Sequence, residues 1–175
     1  MAAFDLEALT THPLDYRLSG GPVLFWSLEV LQESTEWLSA HGYDVVTLPV
    51  SDWGDASRMH DDVSRALNFP SYYGRNLDAL NDCMSDVAVG DYGSSPSATG
   101  LVLALTGFDR FVRDDRATAH TVLEIVTGQA RVAMSFGRRF LFLIQSDDPD
   151  ITLDPVGAVH VGWNGREWLT VARHP

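Results

Sequence analysis

Two uninterrupted apolar runs limit the folds open to this chain more than any other feature of its sequence. Residues 101–105, and residues 140–144 within the segment 139–145, lack the alternation of apolar and polar residues seen in a strand with one wet face. Such runs are typical of strands buried on both faces, and sheets buried on both faces are mostly parallel and covered by helices. The sequence therefore predicts an α/β fold with a small parallel β-sheet packed with helices.

The rest of the central region fits this fold. Residues 43–50 are rich in β-branched and apolar residues and predict a strand. Apolar residues recur at helical spacing in three segments, residues 55–68, 75–87 and 115–131. The order strand, helix, helix, strand, helix, strand predicts a three-stranded core over residues 43–147.

Segments on both sides of this core predict additions to a single domain of residues 1–175. In the N-terminal extension, residues 1–42, a short apolar run at 23–26 predicts a strand and residues 28–40 predict a helix. The C-terminal extension, residues 148–175, contains Asn-Gly between β-rich arms, which is typical of a hairpin turn. A two-residue turn would give two cross-strand pairs, Trp163 with Arg166 and Val161 with Trp168.

The charge of the chain bears on its partners. It has 12 Lys and Arg residues against 24 Asp and Glu residues, a net charge of −12. Such acidity disfavours binding to nucleic acid, which is itself a polyanion, and suits a basic protein. The alternative is that the acidity only aids solubility.

Several absences predict a cytoplasmic protein. The first residues lack a basic segment followed by an apolar one, as a secretory signal would have, and no apolar run reaches transmembrane length. Cys83 is the only cysteine, so no intrachain disulfide is possible, and we expect it to be a small buried hydrophobe. We expect no membrane partner, no metal and no cofactor.

The helix predicted over residues 75–87 carries a row of carboxylates on its outer face. Asp78, Asp82 and Asp86 are spaced i, i+4 and i+8, and no Lys or Arg lies between them. Like charges at this spacing cost a helix about 0.2–0.5 kcal/mol per pair. The row therefore suggests a cationic partner, although a solvated helix face is the common alternative. Four apolar residues form the opposite, core-facing stripe: Leu77, Leu80, Met84 and Val87.

The same segment carries a family resemblance. Residues 72–83 read Tyr-Tyr-Gly-Arg-Asn-Leu-Asp-Ala-Leu-Asn-Asp-Cys, which resembles the signature of the barstar family, intracellular inhibitors of the extracellular ribonuclease barnase. The resemblance extends by pattern over residues 43–147. It implies a three-stranded parallel sheet with packed helices. It also implies that Asp78 and Asp82 enter a basic ribonuclease active site in the places of substrate phosphates.

The resemblance implies a set of partner-binding residues around these two aspartates. Of the two tyrosines before the helix, Tyr72 would face the partner and Tyr73 would pack inward. Gly74 would allow a tight turn or a close approach of the partner, whereas Asn76 suits the start of the helix. The predicted partner-binding residues are Tyr72, Gly74, Asp78, Asn81, Asp82, Asp86 and Asp115.

This chain departs from the family pattern in three places. Asn81 stands where the family has a large aromatic residue, so one contact surface is lost or exchanged. The family glutamate at the start of the later helix is missing, and Asp115 could replace it. The loop of residues 88–100 is an insertion that could extend or gate the interface.

The expected function is that of an inhibitor or immunity protein that blocks a basic extracellular or toxin-type ribonuclease one to one. It would be monomeric when unbound and would catalyse no reaction. Two alternatives stay open. One is a regulatory interaction module on the same fold. The other is a metal-dependent hydrolase, since aspartates at i and i+4 can ligate Mg²⁺.

Overall fold

The structure, a computed structural model, describes residues 21–174. The part of the predicted N-terminal extension formed by residues 1–20 lies outside these described residues. The strands are β1 (Val23–Phe25), β2 (Tyr43–Pro49), β3 (Gly100–Thr106), β4 (Phe140–Gln145) and β5 (Gly162–Trp163). The helices are α1 (Leu28–Ala40), α2 (Ala56–Ala66), α3 (Leu77–Val89), α4 (Phe108–Asp114), α5 (Arg116–Ser135) and α6 (Thr170–Arg173).

The strands form one parallel five-stranded sheet in the order β2-β3-β4-β1-β5. The predicted α/β fold with a parallel sheet is confirmed, and β2, β3 and β4 are its three-stranded core. Val102 of β3 lies between Val45 of β2 and Leu141 of β4 in the register. The strand predicted before the core extends the sheet, because β1 pairs with the outer edge of β4.

Helices cover both faces of the sheet, which explains why the interiors of its central strands are apolar. Val102 and Ala104 pack on one face with Leu31 and Leu38 of α1. Leu101, Leu103 and Leu105 point to the other face, where the larger core cluster includes residues of α2, α3, α4 and α5. Burial on both faces removes any position at which a polar residue would be favoured.

The helix predicted over residues 115–131 is longer than expected and follows a short helix that the sequence analysis missed. Helix α4 begins directly after β3, and Asp115 separates it from α5. Phe108 and Phe111 of α4 are fully buried. An amphipathic helix of only seven residues shows too few repeats for its periodicity to stand out.

The predicted C-terminal hairpin is wrong. β5 pairs in parallel with β1, with Gly162 opposite Val23 and Trp163 opposite Leu24. After Asn164 the chain makes a turn and then enters α6, so no returning strand forms. The predicted pairs Trp163 with Arg166 and Val161 with Trp168 are therefore absent.

Buried polar side chains explain the different course of this segment. Asn164 Nδ2 donates to the Leu24 carbonyl oxygen at 3.1 Å, and Glu167 accepts the backbone N–H groups of Trp26 and Ser27, each at 2.9 Å. The guanidinium of Arg173 donates to the Glu167 carbonyl oxygen at 2.5 Å. These bonds turn polar residues inward, and a hairpin would have left the same groups without these partners.

At the carboxyl edge of the sheet, one side chain connects the ends of three strands. Gln145, at the end of β4, accepts the Gly107 N–H at 2.9 Å and donates to the Trp26 carbonyl oxygen at 3.0 Å. It thereby connects the ends of β3, β4 and β1. No helix within residues 21–174 is both long and apolar enough to cross a membrane.

Candidate protein-docking surface

Local signals define the start and end of α3, the helix that carries the acidic row. Asn76 is the N-cap, and its Oδ1 accepts the Ala79 N–H at 2.8 Å, which confirms the structural role predicted for it. Gly90 ends the helix in the left-handed conformation with φ of 90°. These caps place Leu80 and Met84 in the core and turn the opposite face outward.

Asp78 and Asp82 are exposed on this outward face. The ion pairs found among the described residues do not include either carboxylate. Arg75, the nearest cation in sequence, instead binds Asp61 at 2.5 Å. This hydrogen bond lowers the pKa of Asp61 and raises that of Arg75. The two carboxylates therefore stand one helical turn apart with their oxygen atoms open to a partner.

The turn before α3 presents one tyrosine outward and holds the other inward. Tyr72 is 77% exposed. Tyr73 lies half-buried, with its hydroxyl 2.5 Å from His60 Nδ1 and its ring edge-to-face with Phe69 at 5.0 Å between centroids. The outward and inward positions predicted for the two tyrosines are confirmed.

The contact between Tyr73 and His60 joins two groups that stay uncharged near neutral pH. Burial lowers the pKa of the His60 imidazole, and the positive charge of Arg75 lowers it further. Burial raises the pKa of Tyr73 to about 12. A neutral hydrogen bond can be buried at lower cost than an ionic one, so this pair suits a structural role beneath the turn.

Gly74 lies at the exposed end of this turn, close to the start of α3. A Cβ at this position would lie 3.3 Å from the Ala79 Cβ and 3.4 Å from Asn76 Nδ2. The distance to Ala79 Cβ is shorter than most carbon contacts, whereas that to Asn76 Nδ2 is an ordinary contact, so a larger residue would crowd Ala79 in the first turn of α3. This crowding is consistent with the tight turn predicted for Gly74.

Asp86 differs from the other two aspartates of the row. It is only partly exposed, and the hydroxyl of Tyr92 lies 3.1 Å from both Asp86 Oδ2 and the Cys83 carbonyl oxygen. Burial raises the pKa of Tyr92, so its hydroxyl keeps its proton and donates. The predicted loop of residues 88–100 therefore folds back onto the end of α3 and engages Asp86.

Asn81 is exposed and bound to a residue that the sequence analysis did not single out. Gln129 of α5 donates from Nε2 to Asn81 Oδ1 at 2.9 Å. The two residues lie 48 positions apart, so no local pattern could have joined them. This amide pair occupies the boundary between α3 and α5, directly beside Asp82.

Asp115 is engaged by its own helix. Its carboxylate accepts the Thr118 N–H at 3.0 Å and the Thr118 hydroxyl at 2.6 Å, so that it caps α5. These bonds lower the pKa of Asp115. A carboxylate with two internal donors is less available to a partner than Asp78 or Asp82.

The described residues do not assemble a cluster that would hold a metal ion. Within residues 21–174, no group of three His, Cys, Asp or Glu side chains is placed to do so. Cys83 is buried, as predicted for a small hydrophobe.

Comparison with known proteins assigns the chain to a family. The family model described as Barstar (barnase inhibitor) matches residues 43–145, more than half of the chain. This chain belongs to the barstar family. The matched range runs from β2 to β4 and includes α3 and its preceding turn, whereas β1 and β5 lie outside it.

A relative from Bacillus subtilis (strain 168) shows a similarity confined to a short segment. This protein, named "Putative ribonuclease inhibitor YrdF", is 53% identical to the chain over 34 residues. The similarity covers 19% of this chain and 37% of the relative's length. The chain thus matches little more than a third of that protein.

Proposed function

We propose that this protein inhibits a basic ribonuclease by covering its active site with the outward face of α3. The observation that carries the proposal is the pair Asp78 and Asp82, exposed, one helical turn apart, and in no ion pair among the described residues. Membership of the barstar family and the name of the Bacillus subtilis relative support a ribonuclease as the partner.

The chemistry is occlusion by phosphate mimicry. A ribonuclease presents cationic side chains to a phosphodiester, and carboxylates held on a rigid helix can accept charge-assisted hydrogen bonds from the same side chains. Asp78 and Asp82 take the places of phosphates, and no bond is made or broken. The inhibitor binds one to one, acts in the cytoplasm and is monomeric when unbound.

The turn before α3 completes the proposed contact. Tyr72, with most of its surface exposed, offers an aromatic face to the partner. Gly74 adds no side-chain bulk to the turn, so that a partner can approach both Tyr72 and Asp78. Asp86 and Asp115 are left out of the proposed contact because Tyr92 and Thr118 engage their carboxylates.

A calorimetric titration against a panel of barnase-type and related microbial ribonucleases tests this proposal. The variants are Asp82→Ala and Asp78→Ala, with Glu29→Ala as the control. Glu29 is an exposed carboxylate of α1, the helix that covers the other face of the sheet, so its variant loses the same charge far from α3.

We expect tight one-to-one binding by the wild type and a loss of at least about 30-fold in affinity for Asp82→Ala, since truncating one partner of a buried charge pair costs about 2–5 kcal/mol and each 1.4 kcal/mol is tenfold. Glu29→Ala should change affinity by less than about threefold, as is common for remote charges. Equal binding by Asp82→Ala and the wild type would contradict the proposed site. If the wild type bound no ribonuclease, the alternative hypothesis of a regulatory interaction module would be favoured.

A further inference from the structure

A cleft lies at the carboxyl edge of the sheet, between the region that matches the family and the C-terminal extension. One wall is formed by Arg113 of α4 and Arg116 at the start of α5, and the other by residues 148–152, which follow β4. The family match ends at residue 145, so the second wall lies outside it. Ligands of parallel α/β sheets commonly bind in crevices at the carboxyl ends of the strands, where this cleft lies.

The size of the cleft suits a small molecule. Its volume is about 220 Å³. A single water molecule needs only about 10–15 Å³ of such space, whereas sites for drug-sized ligands measure about 300–1,000 Å³. The cleft therefore has room for a ligand about the size of an amino acid.

The wall formed by α4 and α5 keeps hydrogen-bond donors free for a ligand. Arg113 and Arg116 are exposed, and each forms one ion pair at 3.1 Å through Nη2, with Asp109 and Asp154 respectively. A guanidinium has five N–H donors, and no hydrogen bond to a described residue engages Nε or Nη1 of either arginine. Two guanidinium groups that line one cleft suit a carboxylate, which accepts charge-assisted hydrogen bonds from them.

The opposite wall offers an acceptor for a cation. Asp148 lines the same cleft, is exposed, and takes part in none of the ion pairs among residues 21–174. Its Oδ1 accepts the Asp150 N–H at 2.9 Å, whereas its Oδ2 accepts no hydrogen bond from the described part of the chain. Asp148 and the two arginines thus line one cleft without pairing, so a ligand that joins them must carry both charges.

The charged groups of the whole lining indicate the net charge of the ligand. Three carboxylates and two guanidinium groups line the cleft among the described residues: Asp109, Asp148 and Asp150, with Arg113 and Arg116. The chain as a whole is also acidic, with a net charge of −12. A ligand with a net positive charge is therefore favoured over a neutral or an anionic one.

We propose that this cleft binds a basic amino acid, with its carboxylate on Arg113 and Arg116 and its side-chain cation on Asp148. L-lysine and L-arginine carry these two groups at opposite ends of a flexible chain, so one molecule can contact both walls. The site shares no residue with the proposed contact on α3 and does not depend on the proposed function.

Titration of the full chain with L-lysine and with L-arginine, followed by NMR of its backbone amides, tests this site. We expect saturable one-to-one binding, with the largest shifts at residues 109–116 and 147–152. Two analogues of L-lysine separate the walls. Cadaverine lacks the carboxylate and L-norleucine lacks the side-chain ammonium, so each should bind at least tenfold more weakly than L-lysine. L-glutamate, with a net negative charge, should not bind.

Two conservative substitutions locate the ligand. Arg116→Gln and Asp148→Asn should each raise the dissociation constant for L-lysine at least tenfold. Arg58→Gln is the control for the first, since Arg58 is also an exposed arginine in one ion pair with an aspartate. Asp55→Asn is the control for the second, since Asp55 Oδ1, like Asp148 Oδ1, accepts the N–H two residues later at 2.9 Å. An asparagine keeps that bond in both variants, and both controls should bind like the wild type.

Several outcomes would overturn this inference. Absence of saturable binding by both L-lysine and L-arginine would show that the cleft is not a site for basic amino acids. Wild-type affinity in either Arg116→Gln or Asp148→Asn, or equal affinities for cadaverine and L-lysine, would show that the proposed arrangement is wrong. None of these results bears on ribonuclease binding, which the titrations with Asp82→Ala measure separately.

Discussion

The imidazole Nδ1 of His60 lies 2.5 Å from the hydroxyl oxygen of Tyr73, which connects α2 to the turn that presents Tyr72. A second connection runs beside it, since Arg75 binds Asp61 of α2 at 2.5 Å. Arg75 adopts a left-handed conformation with φ of 53°, which is uncommon for a residue with a side chain. Contacts to α2 therefore hold the turn in the shape that exposes Tyr72 and starts α3 at Asn76.

Loss of the Tyr73 hydroxyl should destabilise the protein. In Tyr73→Phe, the ring still packs against Phe69, but the buried His60 imidazole loses its partner, and an unsatisfied buried polar group costs about 1–3 kcal/mol. Urea unfolding should show a decrease of that size. The control Tyr72→Phe removes a hydroxyl from an exposed ring and should change the free energy of unfolding by less than about 0.5 kcal/mol. Equal effects of the two variants would exclude a structural role for the His60–Tyr73 bond.

The depressed pKa of His60 predicts a loss of stability in mild acid. Burial favours the neutral imidazole in the folded state, so the unfolded chain, with a pKa near 6.5, binds the proton more readily. The stability contributed by the neutral group is fully present above pH 6.5 and decreases as the pH falls through the lower folded pKa. Urea unfolding of the wild type and His60→Gln between pH 8 and pH 5 measures this contribution. The difference between them should shrink below pH 6.5, and a constant difference would contradict the prediction.

Glu167 should be essential for the course of the C-terminal segment. Its carboxylate accepts the Trp26 and Ser27 N–H groups at the start of α1, and Glu167→Ala leaves both without these acceptors. We expect a loss of about 2–3 kcal/mol, since hydrogen bonds to a charged group contribute more than neutral ones. Hydrogen exchange should show faster exchange at residues 24–27 and 162–167. Glu36→Ala, at an exposed position of α1, serves as the control, and unchanged exchange in Glu167→Ala would contradict the role.

Salt should slow association with the proposed ribonuclease partner. The chain carries a net charge of −12, and steering of oppositely charged proteins weakens as the Debye length falls from about 30 Å at 0.01 M salt to about 3 Å at 1 M. Stopped-flow measurements over this range should show the association rate constant falling at least tenfold, with a smaller change in the dissociation rate constant. An association rate independent of salt would mean that the charge serves solubility and not binding.

Much of the sheet and of the acidic helix could be predicted because their signals are local. The runs at residues 101–105 and 139–145 predicted buried strands, since burial on both faces leaves no polar position. The helical spacing of Asp78 and Asp82 opposite Leu80 predicted their exposure, because one helix face must lie in the core. The role of Asn76 at the start of the helix could be predicted because an N-cap side chain bonds within the first turn, here to the Ala79 N–H three residues away.

The sequence by itself thus determined the parallel α/β class, the order of the central strands and the outward position of Asp78 and Asp82. Only the tertiary structure decided that β1 lies between β4 and β5, that Gln129 binds Asn81, and that the C-terminal segment turns into a helix instead of a hairpin. The physical reason is distance along the chain. Asn164 and Glu167 find their partners at residues 24–27, about 140 positions away, and those bonds outweigh the local preference of Asn-Gly for a hairpin turn.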